Sequence, residues 1–220
     1  MRRQALALAL ALTCSALASA QPKRVVPADD PDVAAGWTAY QADRHREAME
    51  HYRRAAGRNE RVAQFNLAVM LLAGEGAAAN PVEAMDWLRK SAEQGFALAQ
   101  YALGLLYERG EHLPRSLPQA TQWFQRAAEQ GHRDAQVSVG TQYVLGRGAT
   151  RDYREAARWY ERAAEQGDEG SAYIVASLYE KGEGVAQDRL RAFYWYSRAA
   201  AGGDPVAVYK AREMRELLSR

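Results

Sequence analysis

The side chains best equipped for chemistry in this chain are few. His45 and His51 share a short stretch with Glu47 and Glu50 between them, a donor set that could hold a metal ion. A metal site needs three or four converging ligands, and a six-residue spacing sets the two histidines on different helix faces or in a loop. Surface or capping histidines fit that pattern better, and the same reading covers His112 and His132 at loop and repeat-junction positions. The pairs Gly74/Gly76, Gly146/Gly148 and Gly182/Gly184 suggest a phosphate cradle. A dinucleotide fingerprint, however, needs a strand before it and a helix directly after it. These pairs follow predicted helices and recur at a fixed interval, so they read as loop geometry. No Ser-x-x-Lys occurs anywhere, and no nucleophile–base pair is assembled at the level of sequence. Basic residues such as Arg53-Arg54, Arg89-Lys90 and Arg147 are interleaved with acids, which makes a solvated face rather than a stripe for nucleic acid. The expectation is no catalytic residue, no cofactor and no metal.

The elements around these residues are helical. Ala supplies 44 of 220 residues, which favours helices in close contact. The chain carries 29 Lys+Arg against 27 Asp+Glu, too even a balance to draw it to nucleic acid or anionic lipid. One Cys has no partner, so no disulfide framework is possible.

Residues 1–20 read as an address. Met1-Arg2-Arg3 is basic, Ala5 to Leu12 is apolar, and Ala18-Ser19-Ala20 is a small-x-small cleavage pattern. The apolar run is shorter than the roughly 20 residues a membrane span needs. Ala11-Leu12-Thr13 before Cys14 is a poor match to the leucine-small-small context of a lipid-modified cysteine. A secretory signal cut after Ala20 is therefore expected, giving a periplasmic or secreted protein with no membrane span, no thiol and no net formal charge. Residues 21–31, with Pro22, Pro27 and Asp29-Asp30-Pro31, read as a flexible lead-in.

Self-comparison gives the strongest signal. Trp87, Trp123, Trp159 and Trp195 stand 36 apart, as do Gly95, Gly131, Gly167 and Gly203, and Ala84, Ala120, Ala156 and Ala192. Tyr107, Tyr143 and Tyr179 keep the same interval, and so do Gly74, Gly110, Gly146 and Gly182. Four units follow, at 61–96, 97–132, 133–168 and 169–204. Each reads as two helices. Ala99, Leu103, Leu106 and Tyr107 mark one face of a first helix that stops at Gly110. Asn80-Pro81, Ser116, Asp152 and Asp188 are caps that open the second helices. Gly167 and its equivalents close those helices in the left-handed conformation.

Ala and Gly columns let backbones approach, and a Trp in each unit is expected to fill the space between successive helices. Burying one Trp hides about 150–250 Å², an upper-bound gain of about 4–6 kcal/mol. A lone pair cannot hide that face, so each unit leans on its neighbour. Residues 32–60 form a shortened N-terminal unit in which His51 stands where later units have Trp. Residues 205–220 form a C-terminal capping helix. The predicted fold is all-α, a right-handed α-solenoid of antiparallel helix pairs.

The unit resembles the Sel-one-like repeat, a relative of the tetratricopeptide repeat. Ser171-Ala172-Tyr173, Leu178-Tyr179-Glu180-Lys181-Gly182-Glu183-Gly184-Val185 and Trp195-Tyr196 carry the likeness best, with Trp159-Tyr160-Glu161-Arg162-Ala163-Ala164-Glu165-Gln166-Gly167-Asp168 beside them. Departures are His112 for the second loop Gly, Ala176 for the first-helix Gly, and Leu113-Pro114 in one loop. The resemblance implies a superhelix whose concave side binds proteins or peptides, in the manner of an adaptor. Some exported bacterial relatives hold each unit with a disulfide and are linked to β-lactams. The Cys pairs that would go with that activity are missing from this chain.

First helices line the inner curve of such a solenoid, and columns that drift between units are free for recognition. The drifting and groove columns give Phe65, Val69, Tyr101, Leu105, Glu108, Arg109, Val137, Thr141, Tyr173, Ser177 and Lys181 as candidate partner-binding residues. The expected function is a non-catalytic protein-interaction scaffold in the bacterial envelope, monomeric, with a protein or peptide partner and no nucleic acid. The alternatives are an envelope hydrolase or β-lactam-binding repeat protein, and a structural component that binds cell-wall glycan.

Overall fold

The computed structural model describes residues 30–219, so the leader and most of the lead-in lie outside the described residues. Among the described residues the chain is helical throughout. In chain order the helices are α1 (Pro31–Gln41), α2 (His45–Gly57), α3 (Arg61–Ala73), α4 (Pro81–Glu93), α5 (Ala97–Arg109), α6 (Leu117–Glu129), α7 (Arg133–Leu145), α8 (Tyr153–Glu165), α9 (Glu169–Lys181), α10 (Arg189–Ala199) and α11 (Pro205–Leu218). None of them is long and apolar enough to cross a membrane.

The expected caps are present. The Asn80 side chain accepts from the Glu83 N–H, and Ser116 from Gln119. Asp152 and Asp188 each accept from two backbone donors of the next turn. These oxygens satisfy N–H groups that have no partner inside the helix. First helices end on Gly74, Gly146 and Gly182 with φ of 73°, 65° and 74°. A repeated backbone bond then closes each loop, from the Asn80, Ser116, Asp152 and Asp188 N–H to the Leu71, Tyr107, Tyr143 and Tyr179 carbonyls.

The chain divides into two compact units, with the boundary inside α5 at Leu103/Gly104. In the first unit α1, α2, α3 and α4 pack consecutively. In the second, α6 through α11 do the same. This is the helix-pair packing of an α-solenoid.

The packing differs from expectation in one respect. Trp159 and Trp195 are buried, but Trp87 and Trp123 are only half-buried. The space-filler is the next residue along: Tyr52, Leu88, Phe124, Tyr160 and Tyr196 are all at most 3% exposed. Tyr52, Phe124 and Tyr160 each face a glycine on the preceding first helix, as Tyr160 does Gly140, where a β-carbon would lie 3.0 Å from the ring. The Trp column has another role, because a cation three residues on covers each indole. Lys90 sits 4.1 Å from the Trp87 centroid, Arg126 4.5 Å from Trp123, Arg162 4.7 Å from Trp159 and Arg198 5.7 Å from Trp195. Each such stack contributes about 0.5–1 kcal/mol at an exposed site.

A second repeated tie is polar. Gln64, Gln100 and Gln136 are buried, and their amides donate to the carbonyls of Ala56, Ala92 and Ala128 at the end of the preceding helix. Gln94 and Gln166 in turn donate to Gln64 and Gln136.

The ends carry their own fastenings. At α1–α2, Asp32 takes bonds from Arg58, Arg54 and His51, and Asp30 takes Arg58. His51, in the Trp column, and Arg54, in the cation column, thus turn to carboxylates. At the other end Lys210 of α11 bridges Glu180 and Glu213, and the Tyr196 hydroxyl donates to Glu180 at 2.6 Å. Burial raises the Glu180 carboxyl pKa, and the bonds from Tyr196 and Lys210 outweigh it, so the group lies below its ordinary value.

Candidate functional site

The first helices position the candidate recognition residues. In the first unit Phe65 is 8% exposed, its ring edge-on to Phe96 with centroids 5.4 Å apart. It belongs to the packing. Val69 and Tyr101 are half-buried.

In the second unit the candidates sort by depth. Val137 and Tyr173 pack against the core around Val175, Ala176 and Tyr196. The Tyr173 ring meets Tyr196 edge-on at 5.2 Å. The Thr141 hydroxyl pairs with the Tyr160 hydroxyl at 2.8 Å, and Ser177 is half-buried. Leu105 is half-buried, and Glu108 accepts the Gln142 amide at 2.7 Å, which fixes α5 beside α7. Arg109 and Lys181 are exposed. Only these two, of the residues singled out, hold side chains fully in water.

Leu145, which shares their repeat position, completes the row. It is the last residue of α7, as Arg109 is of α5 and Lys181 of α9, and it is 44% exposed. The signal for it was in the sequence: a column reading Ala73, Arg109, Leu145, Lys181 has no chemical constancy, and every member is exposed. The loop after α7 adds Arg147 and Arg151, also exposed.

That loop is tightly placed. A β-carbon on Gly148 would collide with the Leu117 carbonyl at the start of α6, and one on Gly76 would lie 2.6 Å from the His45 carbonyl. Gly184 stands in the same way against Tyr153. The second glycine of each Gly-x-Gly pair thus brings the loop onto the first turn of an earlier second helix. His112, at that position in its own unit, adopts φ 58°. Left-handed backbone is uncommon for a side chain with a β-carbon.

Among the described residues no group of three or more His, Cys, Asp and Glu could hold a metal. His51 is bound to Asp32 at 2.7 Å, and His132 is the N-cap of α7, its Nδ1 accepting from the Ala135 N–H at 3.2 Å. Burial holds the His132 imidazole below its ordinary pKa, which favours the neutral ring that can accept this bond.

Comparison with known proteins matches the chain to the Sel1 repeat, at residues 40–59, 61–96, 97–132, 133–168 and 170–204. A Sel1 repeat protein from Oxalobacter formigenes is 36% identical, with a TM-score of 0.74, over 80% of this chain and 72% of that one. The protein c5321, a protective antigen present in uropathogenic Escherichia coli strains that displays an SLR fold, is 31% identical with a TM-score of 0.76. That alignment covers 90% of this chain but 43% of c5321, so the chain spans less than half of that relative. None of the curated proteins matches the chain.

Proposed function

Since the chain belongs to the Sel1 repeat family, whose repeats generally mediate protein–protein interactions, we propose that it is a non-catalytic scaffold that holds a protein or peptide on the face formed by its first helices. The observation that carries this reading is the split between columns. The Ala column at 84, 120, 156 and 192 is invariant and fully buried, whereas the column at 73, 109, 145 and 181 changes chemistry at every step and is exposed throughout. Packing demands the first and places no demand on the second. The basic start and small-x-small end of residues 1–20 support export to the envelope or the medium, where the chain would work without a thiol.

The test is photo-crosslinking in cells of the source organism. A photoreactive residue at Arg109 or Lys181 is expected to trap the same protein, and one at Arg158 on α8 is expected to trap none. Equal trapping at all three positions would place recognition elsewhere. Fractionation of the same cells reads the compartment, and recovery of the full-length chain from the cytosol counts against export.

A further inference from the structure

The cations of the second unit fall into two groups, those that have a carboxylate or an indole as partner and those that do not. Among the described residues Arg133 pairs with Asp134, Arg158 with Glu155, Arg191 with Asp188 and Lys210 with Glu180. Arg126, Arg162 and Arg198 lie on indoles. Arg109, Arg147, Arg151 and Lys181 form no ion pair with any described carboxylate, Arg115 donates to the Glu108 carbonyl, and Arg154 and Arg189 at the same edge, like Arg212 and Arg215 on α11, are also without one. The acids close by are already engaged: Glu108 by Gln142, Glu180 by Tyr196 and Lys210, and Asp152 and Asp188 by the helix N-termini they cap. Of these acids only Glu180 and Asp188 have a cation as partner, so Glu108, Glu111, Asp152 and Glu183 offset four of the seven unpaired cations at this edge and leave it net basic. The opposite edge, where second helices turn into the next first helices, has the reverse sign. Glu129, Asp134, Glu165, Asp168, Glu169 and Asp204 stand there against Arg126, Arg133, Arg162 and Arg198. A balanced total charge thus conceals two edges of opposite sign, and an edge of one sign selects ligands of the other.

An exposed leucine lies in the middle of the basic edge. Leu145 ends α7 between Arg109 on α5 and Lys181 on α9, while Arg147 and Arg151 follow on its own loop. The Glu108–Gln142 bond fixes α5 beside α7, and Val144 of α7 packs against the core that α9 shares with α8, α10 and α11. The three helix ends follow one another at one-repeat intervals, and the loop after α7 is held by its close approach to Leu117 and by the Thr121 hydroxyl on the Arg147 carbonyl.

We propose that the C-terminal ends of α5, α7 and α9, with the loop following α7, bind an extended acidic peptide segment that seats an apolar side chain on Leu145 and its carboxylates on Arg109, Arg147, Arg151 and Lys181. This rests on the scaffold reading above and names the chemistry of the partner. Guanidinium groups suit carboxylates because they present forked donors, and the apolar seat supplies a register that charge alone does not.

Fluorescence anisotropy with three labelled heptapeptides tests it: Glu-Glu-Glu-Leu-Glu-Glu-Glu, the same peptide with Ser for Leu, and Lys-Lys-Lys-Leu-Lys-Lys-Lys. The acidic leucine peptide is expected to bind most tightly and to weaken as salt is raised from 50 to 300 mM. Arg109→Glu with Lys181→Glu should weaken it about tenfold or more, and Leu145→Ser should bring it to the level of the serine peptide. Glu165→Lys on the opposite edge should leave it unchanged. All four positions are exposed or at helix ends, and circular dichroism checks that each variant is folded. Equal binding of the lysine peptide, or indifference to the double charge reversal, overturns the proposal. So does concentration-dependent self-association that the double reversal abolishes, because the basic edge would then be meeting the acidic edge of a second copy. If crosslinks at Arg109 and Lys181 persist while the acidic peptides fail to bind, the scaffold reading stands and this one falls.

Discussion

Phe124 of α6 lies so close to Gly104 of α5 that its ring occupies the place a β-carbon on that glycine would need. The same pairing recurs as Gly140 against Tyr160, and in the first unit as Gly36 against Tyr52, where a β-carbon would be 2.8 Å from the ring. At the corresponding repeat positions of the first unit stand Ala68 and Leu88, both buried. Size on one helix is matched by size on the other. Gly104→Ala is expected to destabilise the fold by about 1–3 kcal/mol through overpacking. Phe124→Leu in the same chain should recover part of that loss. Urea unfolding of the single and double variants gives the coupling, and additive losses would show that the two residues do not constrain each other.

The loop glycines predict an asymmetric pair of substitutions. Gly148→Ala meets both a left-handed φ of 72° and the Leu117 carbonyl, so a loss of about 2 kcal/mol or more is expected. His112→Gly relaxes a side chain held at φ 58° and should be neutral or stabilising by up to about 1 kcal/mol. Thermal unfolding of the two variants reads both signs at once.

His132 makes the second unit sensitive to mild acid. Its pKa is lowered by burial, so the unfolded chain binds the proton more readily than the folded one. The stability it contributes is complete above the ordinary histidine value of about 6.5 and is lost as pH falls below that toward the folded value. Protonation also removes the acceptor that caps α7. His132→Asp, which places there the residue found at 168 and 204, should flatten the change in Tm between pH 7.5 and pH 5.5. An unchanged pH profile in that variant would assign the sensitivity to another group.

The carboxylates that fasten α1 to α2 act in a lower window. Arg58, His51 and Arg54 hold the Asp32 carboxyl well below the usual carboxylate range, and Arg58 lowers that of Asp30. Groups lowered in this way stabilise the fold above their unfolded value, near pH 4, and cease to do so as pH falls through the folded value. Hydrogen exchange in α1 should therefore quicken at strongly acidic pH, and Asp32→Asn should quicken it already at pH 7. Protection of α1 that is the same in both chains at pH 7 would show that the network adds nothing.

The Gln column predicts a cost of leaving a carbonyl unanswered. Gln136→Leu removes the donor to the Ala128 carbonyl and the acceptor for Gln166. A loss of about 1–3 kcal/mol is expected, against a change near zero for Gln122→Leu at an exposed site of α6.

Most of this architecture was legible in the chain because its determinants are local. Caps at Asn80, Ser116, Asp152 and Asp188 depend on residues three apart, and the stops at Gly74, Gly110, Gly146 and Gly182 on a single backbone conformation. The core filler was harder to read, because Trp159-Tyr160 and Trp195-Tyr196 place two large residues side by side. Helical period alone does not say which of the two turns inward, and an indole covered by Arg or Lys tolerates half-exposure, as Trp87 and Trp123 show. The Gln column kept its 36-residue spacing in plain view, yet a polar residue gives no hint of burial until its partner carbonyl is known. For the candidate recognition face, drift in a column correctly marked Arg109 and Lys181 as exposed. It could not separate Tyr173 and Thr141, whose side chains face tyrosines of the neighbouring second helices.

None of the side-chain ties described here reaches further than 35 residues, the separation of Gln94 from Asn59. A gene duplication that inserted one more 36-residue module would find most of its fastenings already encoded in itself and its flanks, because the cap and loop bonds recur from unit to unit. Length is therefore a property of this chain that evolution can alter at low risk, and with it, on the scaffold reading proposed above, the number of partner residues that could be gripped at one time.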